Sequence, residues 1–207
     1  MAEADRFRWN ERYAERAAAG DWDEAPVPRL LELERLIRPR RRAGSAGATT
    51  RSAAVPPVAL DLACGTGRHT LYLARLGYTV DAWDISDVGL ERLARLAREQ
   101  GLAGRVRIRQ VDLDEAALPV GTYDLVVDTY FLDRRLFRPM AAALKPGGLL
   151  FMETLLSTPE RPGRPDYYLQ PSELRAAFPE LEELFYRENE EAGWAAFLGR
   201  KNSALEG

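Results

Sequence analysis

Several features that would identify other classes of protein are scarce or missing in this sequence. Its only cysteine is Cys64 and its only histidine is His69, so a disulfide framework is excluded, a reducing cytoplasmic location is favoured, and we expect no metal site. No apolar run approaches the ~20 residues of a membrane span, and the first residues contain no apolar signal core. The net charge of −3 provides no field that would attract nucleic acid or an anionic membrane. We therefore expect a cytoplasmic protein that binds neither nucleic acid nor a membrane, either a monomer or a homodimer.

The 207 residues are enough for one domain with short additions, and 46% of them are hydrophobic. Residues 1–57 are predicted to form an N-terminal helical cap, with helices over 5–19 and 30–37, and a flexible linker. The linker contains Arg40, Arg41 and Arg42, which we interpret as a solvated charge run. Residues 58–207 alternate strand and helix patterns and end in two strands, which predicts the main α/β domain.

A strand, a glycine turn and a helix follow one another at the start of this domain. Residues 58–62 form a short apolar run with one acid, residues 64–67 read C-G-T-G, and a helical pattern begins at Arg68. Glycine lets a ligand approach the backbone and a helix start presents free N–H groups, so this pattern predicts a nucleotide-type cofactor site. A dinucleotide fingerprint would need a third glycine where this chain has Thr70.

Acidic residues stand at or just after the predicted carboxyl ends of the next three strands. Asp84 lies 19 residues after Gly65, the distance at which an acid reaches the ribose hydroxyls in nucleotide folds. A carboxylate can accept two hydroxyl hydrogen bonds at once. The alternative for Asp84 is capping the next helix, but Ser86 is available for that role. Asp112 and Asp128 follow at the third and fourth strands, where parallel strands face one ligand crevice.

The stretch D-L-A-C-G-T-G at 61–67 resembles the S-adenosylmethionine (SAM) loop of class I methyltransferases, with Ala63 where that family usually has glycine. K-P-G-G at 145–148, before an apolar strand, is a second shared feature. W-N-E-R-Y at 9–13 and L-D-R at 132–134 are weakly similar to the small tellurite-resistance and thiopurine-type subgroup. The resemblance implies a three-layer Rossmann-like α/β sandwich, with a mostly parallel seven-stranded sheet, an antiparallel C-terminal strand, helices on both faces and an N-terminal helical cap.

The same resemblance implies SAM as cofactor, S-adenosylhomocysteine as product, and in-line methyl transfer to a small-molecule acceptor. On this basis Asp61 holds the loop and the methionyl ammonium, the two glycines pack under ribose and methionine, and Asp112 accepts the adenine amino group unless it only forms a turn. The cofactor-binding residues that we predict are Asp61, Ala63, Cys64, Gly65, Gly67, Asp84, Ile85, Asp112, Leu113 and Asp128.

The residues that would contact the acceptor or move a proton are defined less sharply. Because aromatic faces attract cations such as a sulfonium, W-N-E-R-Y either closes over the ligands or only caps the sheet. Residues 157–171 contain four prolines and form either a substrate loop, with Arg161, Arg164 and Tyr168, or an ordinary connector. Candidates for acceptor contacts are Trp9, Arg12, Tyr13, Tyr130 and Tyr167. Candidates for a general base are His69, Asp128 and Asp133, although His69 can also be a polar residue at a helix start.

Two other functions remain open at this point. A nicotinamide-dependent Rossmann oxidoreductase would use a similar fold but needs the glycine that Thr70 replaces. A non-catalytic SAM-binding protein would keep the glycine turn but lack an open acceptor cavity. D-T-Y-F at 128–131 lacks the prolines that nucleic-acid and amide methyltransferases often have there, which argues against base methylation.

Overall fold

The structure is a computed structural model that describes residues 2–22, 24–39, 55–159, 162 and 164–203. Most of the predicted linker, including Arg40, Arg41 and Arg42, lies outside the described residues, and so does Arg161. Within the described part of the chain, none of the helices has the length and apolarity needed to cross a membrane.

The described residues form seven strands and seven helices. The strands are β1 (Val58–Leu62), β2 (Thr79–Asp84), β3 (Val106–Gln110), β4 (Tyr123–Thr129), β5 (Leu144–Leu155), β6 (Leu181–Asn189) and β7 (Trp194–Lys201). The helices are α1 (Ala2–Ala19), α2 (Pro28–Glu32), α3 (Glu34–Ile37), α4 (Arg68–Leu76), α5 (Asp87–Glu99), α6 (Phe137–Ala143) and α7 (Glu173–Ala176).

All seven strands belong to one sheet, in the order β3-β2-β1-β4-β5-β7-β6. The first five strands in this order are parallel to one another, whereas β7 is antiparallel to both β5 and β6. This confirms the predicted mostly parallel sheet with an antiparallel C-terminal strand. The strand order reverses between β1 and β4, and in open α/β sheets ligands bind at the carboxyl ends of the strands beside such a reversal.

The central strands are apolar along their length because both faces of the sheet are covered. Along β4, Val126 joins one hydrophobic cluster, while Leu125 and Val127 join the cluster on the opposite face. The same alternation places Leu60 and Ala59 of β1 on opposite faces. Burial on both faces explains why these strands are continuous hydrophobic runs in the sequence.

Three elements differ from their predictions. One is β5, which begins at Leu144 and therefore includes K-P-G-G at 145–148. The single helix expected over 30–37 is divided into α2 and α3, which meet at Leu33; the division still allows Leu30, Leu33 and Ile37 to be buried. Ser172 precedes α7 as expected, but its side chain makes no capping hydrogen bond. The carboxylate of Glu173 accepts a hydrogen bond from the Gln170 amide instead.

Candidate active site

A cavity of about 700 Å³ lies where the strand order reverses. Residues at or just after the carboxyl ends of β1 to β4 line it, α1 contributes a further wall, and residues 25–28 before α2 form one side. Cavities of ~300–1,000 Å³ are typical of small-molecule sites. The fold therefore provides a site of the right size at the position that its topology predicts.

The turn after β1 is tight because several of its residues have left-handed backbone angles. Ala63, Gly65 and Gly67 have φ values of 47°, 57° and 84°. Ala63 and Gly65 line the cavity, as predicted, whereas Gly67 does not. A Cβ on Gly67 would lie 2.2 Å from Cδ1 of Leu93 on α5, so its missing side chain serves helix packing. Gly67 therefore lies outside the cavity lining, and its place under a ligand stays a prediction.

Asp84 connects the end of β2 to this turn. Its Oδ2 accepts a hydrogen bond from the Gly65 amide at 2.7 Å, and its Oδ1 accepts one from the Ser86 amide at 2.8 Å. The Ser86 hydroxyl caps α5 by accepting from the Gly89 amide at 3.0 Å, as expected. A carboxylate has about four acceptor positions, so Asp84 retains capacity for further hydrogen bonds at the cavity wall.

Two buried carboxylates lie behind the turn without lining the cavity. Asp61 Oδ2 accepts from the hydroxyl of Thr70 at 2.5 Å, and burial raises the pKa of Asp61 to about 7. Thr70 stands where a dinucleotide fingerprint has its third glycine, and its hydroxyl donates a hydrogen bond to Asp61 instead. Neither oxygen of Asp128 has a hydrogen bond of ordinary geometry to a described residue, although the Phe131 amide favours its charged form. Burial raises the pKa of Asp128 well above its usual range.

Cys64 and His69 are buried beside the turn, and burial keeps both side chains in their neutral forms. Burial raises the pKa of the Cys64 thiol, which is consistent with a packing residue. His69 Nε2 accepts from the Val27 amide at 3.2 Å, and its Nδ1 lies 3.0 Å from the Thr129 hydroxyl. Burial lowers the pKa of His69 to about 3, so the ring is neutral with its proton on Nδ1. Both ring nitrogens are therefore engaged inside the protein, which removes His69 as a general base in this arrangement.

Asp133 is also placed away from the predicted chemistry. Its carboxylate caps the following turn through the Arg135 amide and forms an ion pair with the Arg135 side chain at 2.6 Å. These bonds hold the pKa of Asp133 below its usual range even though burial opposes them. Asp133 does not line the cavity, so the structure does not support it as a base.

The residues predicted to bind the adenine lie together at one cavity. Ile85, Asp112 and Leu113 all line it. Asp112 Oδ1 also accepts a hydrogen bond from the Asp114 amide at 2.9 Å, so the residue forms the turn and remains at the cavity wall. Both roles that the sequence left open for Asp112 are compatible with this position.

Helix α1 brings three predicted residues to the cavity, and a fourth follows β4. Trp9, Arg12 and Tyr13 line it together with Tyr130 from the end of β4. The hydroxyl of Tyr13 reaches the turn, where it would lie 2.6 Å from a Cβ on Gly65. Tyr13 therefore covers part of the turn, and burial followed by the charge of Asp84 raises the pKa of its phenol.

The segment over 157–171 is a packed connector in its described residues, none of which lines the cavity. The Ser157 amide donates to the Leu169 carbonyl at 2.8 Å, and Arg134 donates to the carbonyl of Tyr168 at 3.1 Å. Tyr167 is exposed and accepts a hydrogen bond from Arg8 at 3.5 Å. The substrate-loop interpretation, with Arg164, Tyr167 and Tyr168 at the acceptor, is not supported.

Sequence reasoning missed three residues that hold the site together. Asn10 of α1 donates to Asp87 Oδ1 and accepts from the Ser86 hydroxyl, both at 2.6 Å. Arg29 of α2 forms a two-point ion pair with Glu153 of β5, whose side chain is fully buried. A lone acid inside the apolar β5 was the available signal for Glu153, but nothing in the sequence pointed to its partner.

Comparisons with known proteins agree with this geometry. Residues 59–148 match a family model described as a methyltransferase domain. A ubiquinone biosynthesis O-methyltransferase from Xanthomonas axonopodis pv. citri (strain 306) is 34% identical over 168 residues, which are 76% of this chain and 66% of that protein. A protein of the same name from Xanthomonas euvesicatoria pv. vesicatoria (strain 85-10) is 38% identical over 48% of this chain and 44% of its own length. The chain thus spans less than two thirds of the length of the curated relatives that it matches.

Solved structures show the same fold. TehB from Haemophilus influenzae matches with a TM-score of 0.62 and 28% identity, covering 72% of this chain and 59% of that chain. Geranyl diphosphate C-methyltransferase from Streptomyces coelicolor A3(2), crystallised with Mg²⁺, geranyl diphosphate and S-adenosyl-L-homocysteine, matches with a TM-score of 0.60 over 70% of this chain and 73% of that chain. At 16% identity that second likeness shows the fold alone. From its sheet order, its glycine turn and these similarities, we conclude that the chain belongs to the class I, SAM-dependent methyltransferases.

Proposed function

We propose that this protein transfers the methyl group of SAM to a nucleophilic atom of a small molecule. The observation that carries the proposal is the Asp84 carboxylate, joined to the Gly65 amide at the wall of the 700 Å³ cavity. SAM supplies an electrophilic methyl group on a positively charged sulfur. The O-methyltransferase names of the relatives support methyl transfer as the reaction class.

The residues around the cavity fit this cofactor in their chemistry. Ile85 and Leu113 offer apolar side chains for a flat base. Asp84 already accepts from the amides of Ser86, Gly65 and Ile85 and keeps acceptor capacity for a ribose hydroxyl. Asp61 and Asp128 lie buried behind the turn, and Asp128 has no ordinary hydrogen bond to a described residue. A nearby cationic ligand would favour the charged form of such carboxylates. In this proposal, Asp61 and Asp128 attract the positively charged cofactor from behind the cavity wall and do not contact it directly.

The acceptor is assigned to the side of the cavity beneath the end of β4, where Thr129, Tyr130 and Phe131 line it. Among the described residues on that side, none presents an uncommitted base, because His69 uses both ring nitrogens and Tyr130 donates to Glu153. The protein would then act by positioning, which can contribute ~7–11 kcal/mol to lowering a barrier. A thiol, chalcogen or amine needs little help from a base, whereas a hydroxyl needs one.

The test measures conversion of SAM to S-adenosylhomocysteine with thiophenol, aniline and phenol, which share a ring and differ in the nucleophile. We expect thiophenol to be methylated fastest and phenol slowest. SAM binding without conversion of any acceptor would favour a non-catalytic binding protein. Binding of NAD(H) but not of SAM would favour the oxidoreductase and overturn the proposal.

A further inference from the structure

Tyr130 is held in an unusual backbone conformation at the wall of the cavity. It follows the last residue of β4 and has a φ of 58°, in the left-handed region that residues with side chains rarely adopt. Its amide donates to the Glu153 carbonyl at 2.8 Å, which fixes this conformation against β5. Strained backbone of this kind persists only where the surroundings determine it, and it occurs most often at functional sites.

The side chain of Tyr130 is fixed by the same partner. Its hydroxyl donates to Glu153 Oε1 at 3.0 Å. Burial, followed by the negative charge of Glu153, raises the pKa of Tyr130 to about 12, so the phenol keeps its proton and remains a donor. Tyr130 is therefore attached to β5 through both its backbone amide and its side-chain hydroxyl.

Glu153 is in turn fixed by Arg29. Nε of Arg29 lies 2.8 Å from Oε2 of Glu153, and Nη2 lies 2.5 Å from Oε1. The guanidinium carbon of Arg29 lies 4.3 Å from the ring centroid of Trp194 on β7, so the guanidinium also packs against an aromatic ring. Because the glutamate is fully buried, this two-point pair gives it a single position and orients the oxygen that Tyr130 reaches.

The ring of Tyr130 nevertheless remains accessible. Tyr130 is 43% exposed and lines the cavity. The guanidinium carbon of Arg68 lies 5.8 Å from the ring centroid, near the outer limit of a cation–π contact, so it does not form a close stack. Phe131 and Trp9 add further aromatic surface to the same cavity.

We infer that the Tyr130 ring is a platform on which a planar aromatic acceptor stacks, and that Glu153, held by Arg29, is a positioning residue for this platform. The inference rests on the proposed function, because it assigns the acceptor class of the same site. An aromatic ring in a fixed position loses little freedom when a second ring stacks on it, and offset stacking favours flat over puckered rings.

The experiment uses the full chain saturated with S-adenosylhomocysteine and measures binding of two probes by calorimetry. The probes are 2-naphthol, which is planar, and decahydro-2-naphthol, which has the same skeleton with puckered rings. In the wild-type protein we expect 2-naphthol to bind about tenfold more tightly than its saturated counterpart, and Tyr130→Ala to remove about this factor.

The positioning role is tested by a double-mutant cycle. Tyr130→Phe keeps the ring and removes the hydroxyl attachment, whereas Glu153→Gln removes the charge that Arg29 fixes. Each should weaken 2-naphthol binding by about threefold, and the double variant should be no weaker than the weaker single variant, because both changes release one attachment. If Glu153→Gln does not fold, Tyr130→Phe still tests the attachment. Tyr186→Phe is the matched control, since its hydroxyl also donates to a glutamate, Glu188, on β6 and outside the cavity.

Equal binding of the two probes, no binding of 2-naphthol, or binding that Tyr130→Ala leaves unchanged would each overturn the platform. Additive effects of Tyr130→Phe and Glu153→Gln would overturn the positioning role. All variants should retain wild-type affinity for S-adenosylhomocysteine. Failure of the wild-type protein to bind S-adenosylhomocysteine would instead overturn the proposed function, so the two failures are distinguishable.

Discussion

Among single residues, His69 is of a type that often serves as a base, but it is buried with both ring nitrogens hydrogen-bonded. The side chain is 2% exposed, and its two nitrogens bond to the Val27 amide and to the Thr129 hydroxyl. The first of these bonds joins the segment before α2 to the helix that follows the glycine turn. His69 is the only histidine of the chain and was a natural candidate for a base, yet its contacts show a residue that connects two walls of the cavity.

This role predicts a pH dependence of stability with a defined sign. The folded pKa of His69 is about 3, below the ordinary value of 6.5, so the unfolded chain binds more protons between these values. The contribution of His69 to stability is therefore present above pH 6.5 and is lost as the pH falls. Replacing His69 by Gln should destabilise the protein by about 2 kcal/mol more at pH 6.5 than at pH 4.5.

Urea unfolding of both proteins at the two pH values measures this difference. The comparison must be made against the variant because Asp61 acts in the opposite direction: its folded pKa is raised to about 7, so its contribution is lost as the pH rises. The profile of the wild-type protein alone combines His69 with Asp61 and with Asp84 and Asp128, whose pKa values burial also raises. A stability gap between the proteins that is the same at both pH values would contradict the buried, neutral histidine.

At the level of helices and strands, one polar side chain of α1 bridges this helix to the start of α5. Asn10 bridges to the hydroxyl of Ser86 and to the carboxylate of Asp87, at the start of α5. Most other α1 residues are exposed, so the helix has little buried surface to retain it. We expect this bridge to keep Trp9 and Tyr13 at the cavity.

Replacing Asn10 by Ala should therefore release α1 more often. Loss of two hydrogen bonds, each worth about 1 kcal/mol, predicts amide exchange in α1 that is about tenfold faster or more, with little change in α5. Glu11→Ala, at an exposed neighbouring position, is the control and should leave exchange unchanged. Equal protection of α1 in the wild-type protein and in Asn10→Ala would show that other contacts hold the helix.

The elements differ in how far the sequence could predict them. The central strands were predictable because burial on both faces makes each a short apolar run, and glycine marks where α4 ends. The division at Leu33 was not predictable, because three buried residues at 30, 33 and 37 also fit one continuous helix. The contacts of Arg29 with Glu153 join residues 124 positions apart, and no local pattern specifies a pairing at that distance.

The same limit applies to the site residues. The position of Asp84 was predictable because nucleotide-binding folds place an acid at the end of the second strand, about 20 residues after the glycine turn. The packing role of Gly67 was not predictable, because a glycine required for packing against Leu93 looks in sequence like a glycine required by a ligand. The positions of Asp133 and Tyr167 outside the cavity lining were not predictable, because loop side chains after a strand end can turn toward the crevice or away from it. In this structure both side chains make other contacts, an ion pair with Arg135 and a hydrogen bond from Arg8.

For the whole molecule, the account depends on the sheet order, which brings the ends of four parallel strands to one cavity. The glycine turn comes from β1, Asp84 from β2, Asp112 from beyond β3 and Tyr130 from beyond β4. Residues far apart in sequence therefore meet only because the strands adopt this order. The central claim is that this convergence binds SAM through Asp84.

Calorimetric titration of SAM into three folded proteins tests this claim most directly. The proteins are the wild type, Asp84→Asn, and Asp81→Asn, a control on the same strand whose carboxylate accepts from Tyr123 and does not line the cavity. The account predicts binding to the wild type and to Asp81→Asn with similar affinity, and binding about 10- to 100-fold weaker to Asp84→Asn, because bonds to a charged carboxylate are lost. Equal SAM affinity in wild-type protein and folded Asp84→Asn, or no binding of SAM to the wild type, would contradict it.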